Sequence, residues 1–381
     1  MAPNLHSSDT SLAAVHDVAL LDLDGVVYVG PDAVPGAPEV LAQARGAGMR
    51  LAFVTNNAAR PPSVVADHLS ELGIAADAGE VITSSQAAAR YLADRLPSGA
   101  RVLVIGTVGL LEALGERGLT PVESAAAGSA ADGVAAVVQG YSPTLSWSML
   151  AEGAVAINSG VPWVATNVDP TVPSPRGPLP GNGSTVAALV HATGREPVVT
   201  GKPDPTMHRE TLIRTGAKRP IVVGDRLDTD IEGANAVGCM SLLVFSGVTT
   251  PAELLAARPE HRPSYLASDL RGLLTPHRAP QPVDGGWRCG RWLARADGEA
   301  LVLSRAEGMG GAASDGAAVP PARFGEEELD ALRALCPAAW SGQDESGPGG
   351  SGRREPPPVR VDEGDAESAR AREVLDRLGL A

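Results

Sequence analysis

Leu20-Leu21-Asp22-Leu23-Asp24-Gly25-Val26 is the stretch on which the fold turns. The apolar run over residues 18–23 predicts a strand covered on both faces, as in a parallel sheet. Asp24-Gly25 stops it. Asp22 and Asp24 stand two apart at the strand end, so their side chains point to the same side. Two carboxylates this close repel each other unless a cation or a proton intervenes. A hard cation with oxygen ligands, Mg²⁺, fits the pair best. Alone, Asp-x-Asp-Gly is equally the signature of a polar turn.

Outward from this segment the pattern repeats. Residues 38–47 have helical spacing and end at Gly48, residues 50–54 read as a strand stopping at Thr55-Asn56, and residues 62–72 are helical. Strand, helix, strand, helix predicts a parallel sheet with helices on both faces. The pattern resumes near residue 197 with strand-like 198–200, helix 205–215, strand 221–223 stopping at Gly224-Asp225, helix 230–237 and strand 241–245. Ligands of such sheets bind at the carboxyl ends of the strands. The polar residues there are Asp22, Asp24, Thr55, Asn56 and Asp225. Each suits a turn or helix cap, but five in one sheet favour a shared site.

Residues 90–196 carry a second α/β pattern, with strands at 102–105, 134–138 and 163–166 and helices at 110–117, 147–157 and 184–193. They read as a domain inserted into the first, which then comprises residues 15–89 and 197–277. Residues 1–14 read as a loose, disordered tail. Pro280-Gln281-Pro282 reads as a linker, and residues 283–381 as a small C-terminal α+β domain. In that domain a hairpin is expected across 292–304, turning at Asp297-Gly298. Helices are expected at 326–335 and 368–378, and a Gly/Pro-rich flexible insert at 345–358.

Composition sets bounds. The 381 residues carry a net charge of −14, against the basic footprint that nucleic-acid binding needs. Cys239, Cys289 and Cys336 are far apart and predict neither a zinc site nor a disulfide framework. No signal peptide or membrane span is expected, which predicts a soluble cytoplasmic protein without membrane partners. Lys202 and Lys218 are the only lysines, every other basic side chain being arginine. A lysine in such a chain marks a place where arginine will not serve. Lys218 lies in a turn-like surface stretch, whereas Lys202 lies in Thr200-Gly201-Lys202-Pro203-Asp204-Pro205.

Together with Phe53-Val54-Thr55-Asn56-Asn57 and Val223-Gly224-Asp225-Arg226-Leu227-Asp228-Thr229-Asp230, these segments resemble, in order, the four motifs of the haloacid dehalogenase-like (HAD) hydrolase superfamily. The resemblance covers about residues 15–275 and is to the members with a cap between the second and third motifs (subfamily IIA). It implies a HAD Rossmann-like parallel-sheet core, an inserted C2-type cap and a phosphomonoesterase that works through an aspartyl-phosphate.

By this resemblance Asp22 is the nucleophile, and Asp24 is the acid for the leaving alkoxide and then the base for water. Thr55, Asn56 and Asn57 lie in the phosphate-binding motif, and Lys202 neutralises nucleophile and phosphate. Asp22, Asp225 and the main-chain carbonyl of Asp24 would hold Mg²⁺, with Asp230 behind them orienting the metal's waters or Lys202, and Asp228 exposed. The physics agrees. A carboxylate meeting a phosphate at ~4 Å costs ~4 kcal/mol at an effective dielectric of ~20, which a cation and a lysine remove. In the cap loop, Asn167, Asp169 and Arg176 are the candidates for leaving-group contacts. Pyridoxal phosphatase-like members carry a histidine there, but none of the seven histidines lies between Asn167 and Ser184.

The arrangement is most similar to the bacterial glycerol-3-phosphate phosphatase type, whose extra C-terminal domain resembles an acetyltransferase (GNAT) fold. The tail of this chain lacks a glycine-rich acyl-CoA loop. The expected substrate is therefore a small phosphorylated metabolite, glycerol 3-phosphate first, as in recycling of phospholipid head groups. Phosphoglycolate, sugar phosphates, nucleotides or 4-nitrophenyl phosphate are the alternatives, and a phosphate sensor or scaffold is the non-enzyme alternative. Related capped phosphatases also make a homodimer plausible.

Overall fold

In a computed structural model of the chain, Val18–Leu21 is buried at all four positions. The structure describes residues 5–123, 133–172, 174, 176–305, 322–343, 354–362 and 367–381. The chain divides into two units, Met1–Leu51 with Lys218–Ala381, and Ala52–Ala217.

In the first unit, parallel strands run in the order Tyr265–Ala267, Met240–Val244, Pro220–Gly224, Val18–Leu21. Leu21 stands level with Val223, and Asp22 N–H donates to the Val223 carbonyl at 2.9 Å. Two strand ends are thereby brought into line. The helix Ala37–Gly46 buries Ala37, Val40, Leu41 and Ala44, the spacing of one helical face. Residues 5–14 are not a loose tail: Leu5 and Leu12 are buried, and Ser8 exchanges main-chain hydrogen bonds with His277. Apolar residues spaced through a polar segment were enough to anchor it.

Gln281–Val283, Gly286–Cys289, Trp292–Asp297 and Ala300–Arg305 form an antiparallel meander, and Val359–Val361 adds in parallel to the last strand. Gln281 and Pro282, read as part of a linker, therefore lie in the first strand of this sheet. The hairpin turns at Gly298-Glu299, one residue beyond the expected corner. Glu326–Gln343 and Ser368–Leu378 are the helices. The first continues through Pro337, past the expected stop at residue 335. Pro inside a helix costs about 3 kcal/mol, which the complete burial of Trp340 beyond it helps to offset. Trp292, Leu303, Leu332 and Trp340 share one apolar cluster with Phe245, Leu254 and Leu266 of the first sheet's region. Residues 345–353 of the expected flexible insert lie outside the described residues.

In the second unit, Arg50–Thr55 pairs in parallel with Val81–Thr83. A separate parallel sheet has the order Val198–Val199, Trp163–Ala165, Ala136–Gln139, Arg101–Ile105, Thr120–Glu123. Val198–Val199, expected to reopen the first sheet, extends this one instead by pairing with Trp163–Ala165. Thr120–Glu123 was not expected. It is an edge strand, where Pro121 is tolerated. Among the described residues no helix is long and apolar enough to cross a membrane.

Candidate active site

In the first unit, oxygens of Asp22, Asp225 and Asp230 lie within 4.8 Å of one another. Asp22 and Asp225 follow directly on Val18–Leu21 and Pro220–Gly224, so the sheet itself delivers them. Asp230 arrives by a different device. After Asp225 the chain makes a π-helical turn, Leu227–Ile231, before the helix Glu232–Ala236. Arg226 N–H donates to Asp230 Oδ2 at 3.2 Å, folding that carboxylate back towards the strand end. Such wide turns are frequent at functional sites. Asp225 is 0% exposed and Asp230 1%.

Three carboxylates packed this closely repel one another unless a cation or a proton intervenes. Ligand oxygens ~2.1 Å from Mg²⁺ lie roughly 3–4 Å apart in an octahedron, close to the spacing in this cluster. The all-oxygen donor set suits Mg²⁺ rather than a thiophilic metal. The cluster is held from behind: Val248 N–H donates to Asp225 Oδ2 at 2.7 Å, and Ser246 Oγ to the Gly25 carbonyl at 2.7 Å. Gly25 has φ +87°, and a Cβ there would fall 2.6 Å from Asp225 Oδ2, so no other residue fits. Asp24 is exposed on the turn and adds no side-chain oxygen to the cluster. Asp228 is exposed and faces away, in a two-pronged pair with Arg226 at 3.1 and 3.0 Å.

In the second unit, the loop after Arg50–Thr55 carries the other residues. Thr55 is buried, and its Oγ1 accepts from Asn57 N–H at 3.1 Å. Asn57 is exposed and turns its own Oδ1 to Ala59 N–H at 2.9 Å, a loop-shaping role. Lys202 is buried, and its Nζ donates to the Val54 carbonyl at 3.3 Å. Asn56 hydrogen-bonds the Lys202 main chain and Asp169, and Asn167 hydrogen-bonds Asn56. Thr55, Asn56, Asn57, Lys202, Asn167 and Asp169 are thus gathered about one loop. Arg176 is exposed in a tight turn, where its N–H donates to Ser174 Oγ, and it does not join these bonds.

Sequence reasoning missed two groups. Ser84, Ser85 and Thr107 fasten the loop by donating to the carbonyls of Asn56, Ala58 and Ala59 at 2.6, 2.8 and 2.7 Å. Ser246 and Val248 brace the acidic cluster. Both groups lie just beyond strands, so the strand-end rule applied to every strand would have found most of them.

This fold and these carboxylates define a class. Residues 19–120 match the family model for haloacid dehalogenase-like hydrolases, and residues 199–273 match a related HAD-hydrolase-like model. The chain belongs to the haloacid dehalogenase-like hydrolases. It is 42% identical over 374 residues to the D-glycerol 3-phosphate phosphatase of Mycobacterium tuberculosis, covering 97% of this chain and 96% of that protein. An acid sugar phosphatase of Staphylococcus saprophyticus is 33% identical over 67% of this chain and 95% of its own length. The crystal structure of a glycerol phosphate phosphatase of M. tuberculosis in complex with magnesium superposes with a TM-score of 0.80 at 41% identity, covering 98% of this chain and all of that one.

Proposed function

We propose that this chain is a Mg²⁺-dependent phosphatase that hydrolyses glycerol 3-phosphate. The observation that carries the chemistry is the cluster of Asp22, Asp225 and Asp230 at the ends of adjoining strands. The substrate is supported by similarity over nearly the whole chain to a D-glycerol 3-phosphate phosphatase, whereas the acid sugar phosphatase matches about two thirds of it.

In this reading an Asp22 carboxylate oxygen attacks phosphorus while the bond to the ester oxygen breaks. Asp24, in its exposed turn, hands a proton to the departing alkoxide. Asp24 then takes a proton from water, the water oxygen attacks phosphorus, and the bond to Asp22 breaks to release inorganic phosphate. The Lys202 ammonium and Thr55 hydroxyl serve the phosphate oxygens. Mg²⁺ on Asp22, Asp225 and the Asp24 carbonyl, steadied or joined by Asp230, would offset the negative charge that gathers on them. Phosphate release measured over a panel of phosphomonoesters with Mg²⁺ tests this. Glycerol 3-phosphate should rank first by kcat/KM, and chelation should abolish release. A much better rate on phosphoglycolate, sugar phosphates or nucleotides would refute the substrate.

The enzyme is read as cytoplasmic. Its three thiols are free and buried, as a reducing compartment keeps them. A second copy is the partner we favour. Helices Trp147–Asn158 and Asn182–Thr193 carry one charged residue between them, Glu152, which is buried, while Trp147 is 82% exposed. In a chain of net charge −14 this is a face on which two copies meet without repulsion. Sedimentation should show a dimer that Trp147→Glu dissociates; a monomeric wild type would refute it.

A further inference from the structure

Asn56 sits at a junction. Its Oδ1 accepts from Lys202 N–H at 2.8 Å, and its Nδ2 donates to the Lys202 carbonyl at 3.1 Å and to Asp169 Oδ2 at 3.2 Å. An amide nitrogen has two hydrogens, and both are used. What the side chain has left is lone-pair density on Oδ1, which cannot bind an anion. The amide grips Lys202 as a neighbouring strand would, by its N–H and C=O together, while the ammonium reaches the Val54 carbonyl. The approach requires Gly201: a Cβ there would stand 2.8 Å from Asn56 Oδ1 and 2.1 Å from the Thr166 carbonyl.

The other side of the junction is the loop that follows Trp163–Ala165. Asn167 Nδ2 donates to the Asn56 carbonyl at 2.8 Å, and Asn167 Oδ1 accepts from Asp169 N–H at 3.2 Å. The Asn167 carbonyl in turn accepts from Asn182 Nδ2 at 2.7 Å. Lysine, loop and Asn56 therefore form one hydrogen-bonded body.

Building on the phosphatase reading, we propose that Asn56 is a positioning residue that fixes Lys202 and ties it to this loop. Asn167 and Asp169 act through Asn56, not by recognising the leaving group. This replaces both the expectation of the Asn56 side chain as a phosphate ligand and that of the two loop residues as leaving-group contacts.

The full chain with Mg²⁺ is assayed on two esters with unlike leaving groups, glycerol 3-phosphate and 4-nitrophenyl phosphate. Asn56→Ala and Asp169→Ala should each lower kcat/KM by the same factor on both, about tenfold or more for Asn56→Ala. A factor that differs more than about tenfold between the esters would mean leaving-group contact and overturn the proposal. In a Lys202→Met background, Asn56→Ala should add less than about threefold. Full multiplication of the two losses would give Asn56 its own contact with phosphate and also overturn it. Competitive inhibition by inorganic phosphate reads the same cycle where turnover is too slow. Asp169→Ala, at a half-buried loop position, keeps the leaving-group comparison intact if Asn56→Ala fails to fold. Wild-type activity in Lys202→Met would instead sink the functional reading itself.

Discussion

Asp22 is where one atom decides the outcome. Asp22→Asn keeps the shape of the side chain and removes the carboxylate that would attack phosphorus. Phosphate release should fall by at least about a thousandfold, and ordinary turnover by the variant would rule out the covalent mechanism. At this scale the sequence was legible wherever a carboxylate followed an apolar run: Asp22 and Asp225 stand where strand periodicity ends. Asp230 was read as standing behind the metal ligands, and its carboxylate lies within 4.8 Å of those of Asp22 and Asp225. Helical spacing suggested a helix starting at 230, whereas the chain takes a π-helical turn there that packs the side chain among the other two carboxylates. Asn56 was found, but its hydrogen-bond inventory, and so its role, depends on neighbours more than a hundred residues away.

Among the elements, Glu326–Gln343 bears the most on function outside the site. Trp340 Nε1 donates to the Leu254 carbonyl at 3.1 Å, and Arg333 Nη2 to the Leu266 carbonyl at 2.9 Å. A chain ending at residue 278 would uncover Phe245, Leu254, Leu255 and Leu266, each worth about 1.5–3 kcal/mol when buried. The truncated protein should melt well below the full chain or fail to stay soluble; an unchanged melting temperature would show that the C-terminal sheet folds and acts apart. Proline punctuation misled the element reading. Pro282 and Pro121 lie in edge strands, which tolerate proline, and Pro337 lies inside a helix whose packing, with Trp340 buried, outweighs the local preference. Apolar runs flanked by glycine were read correctly, since burial and local propensity agree there.

For the molecule as a whole, acid stability follows from buried imidazoles. Burial holds His16 and His277 below the ordinary histidine range, although each touches a main-chain carbonyl, of Arg219 and Gly272. Both rings also lie against Tyr265, at 6.4 and 5.2 Å between centroids. A histidine with a depressed folded pKa binds its proton more readily in the unfolded chain. Its stabilising effect is complete above the unfolded value, about 6.5, and is lost as pH falls from there towards the folded value. The melting temperature should therefore drop between about pH 7 and pH 5. A His277→Gln variant should show a shallower drop over that interval, and an identical slope would exclude the ring as the cause.

The pairing of Val18–Leu21 with Pro220–Gly224 carries a consequence for synthesis. The first of these strands leaves the ribosome about two hundred residues ahead of its partner, and closing so long a loop is entropically slow. Until then one edge of Val18–Leu21 stays without its partner strand on the nascent chain. The metal has no assembled carboxylates to bind before the second strand arrives. Cation uptake would then coincide with the closing of the sheet and report, during translation, that the first fold is complete.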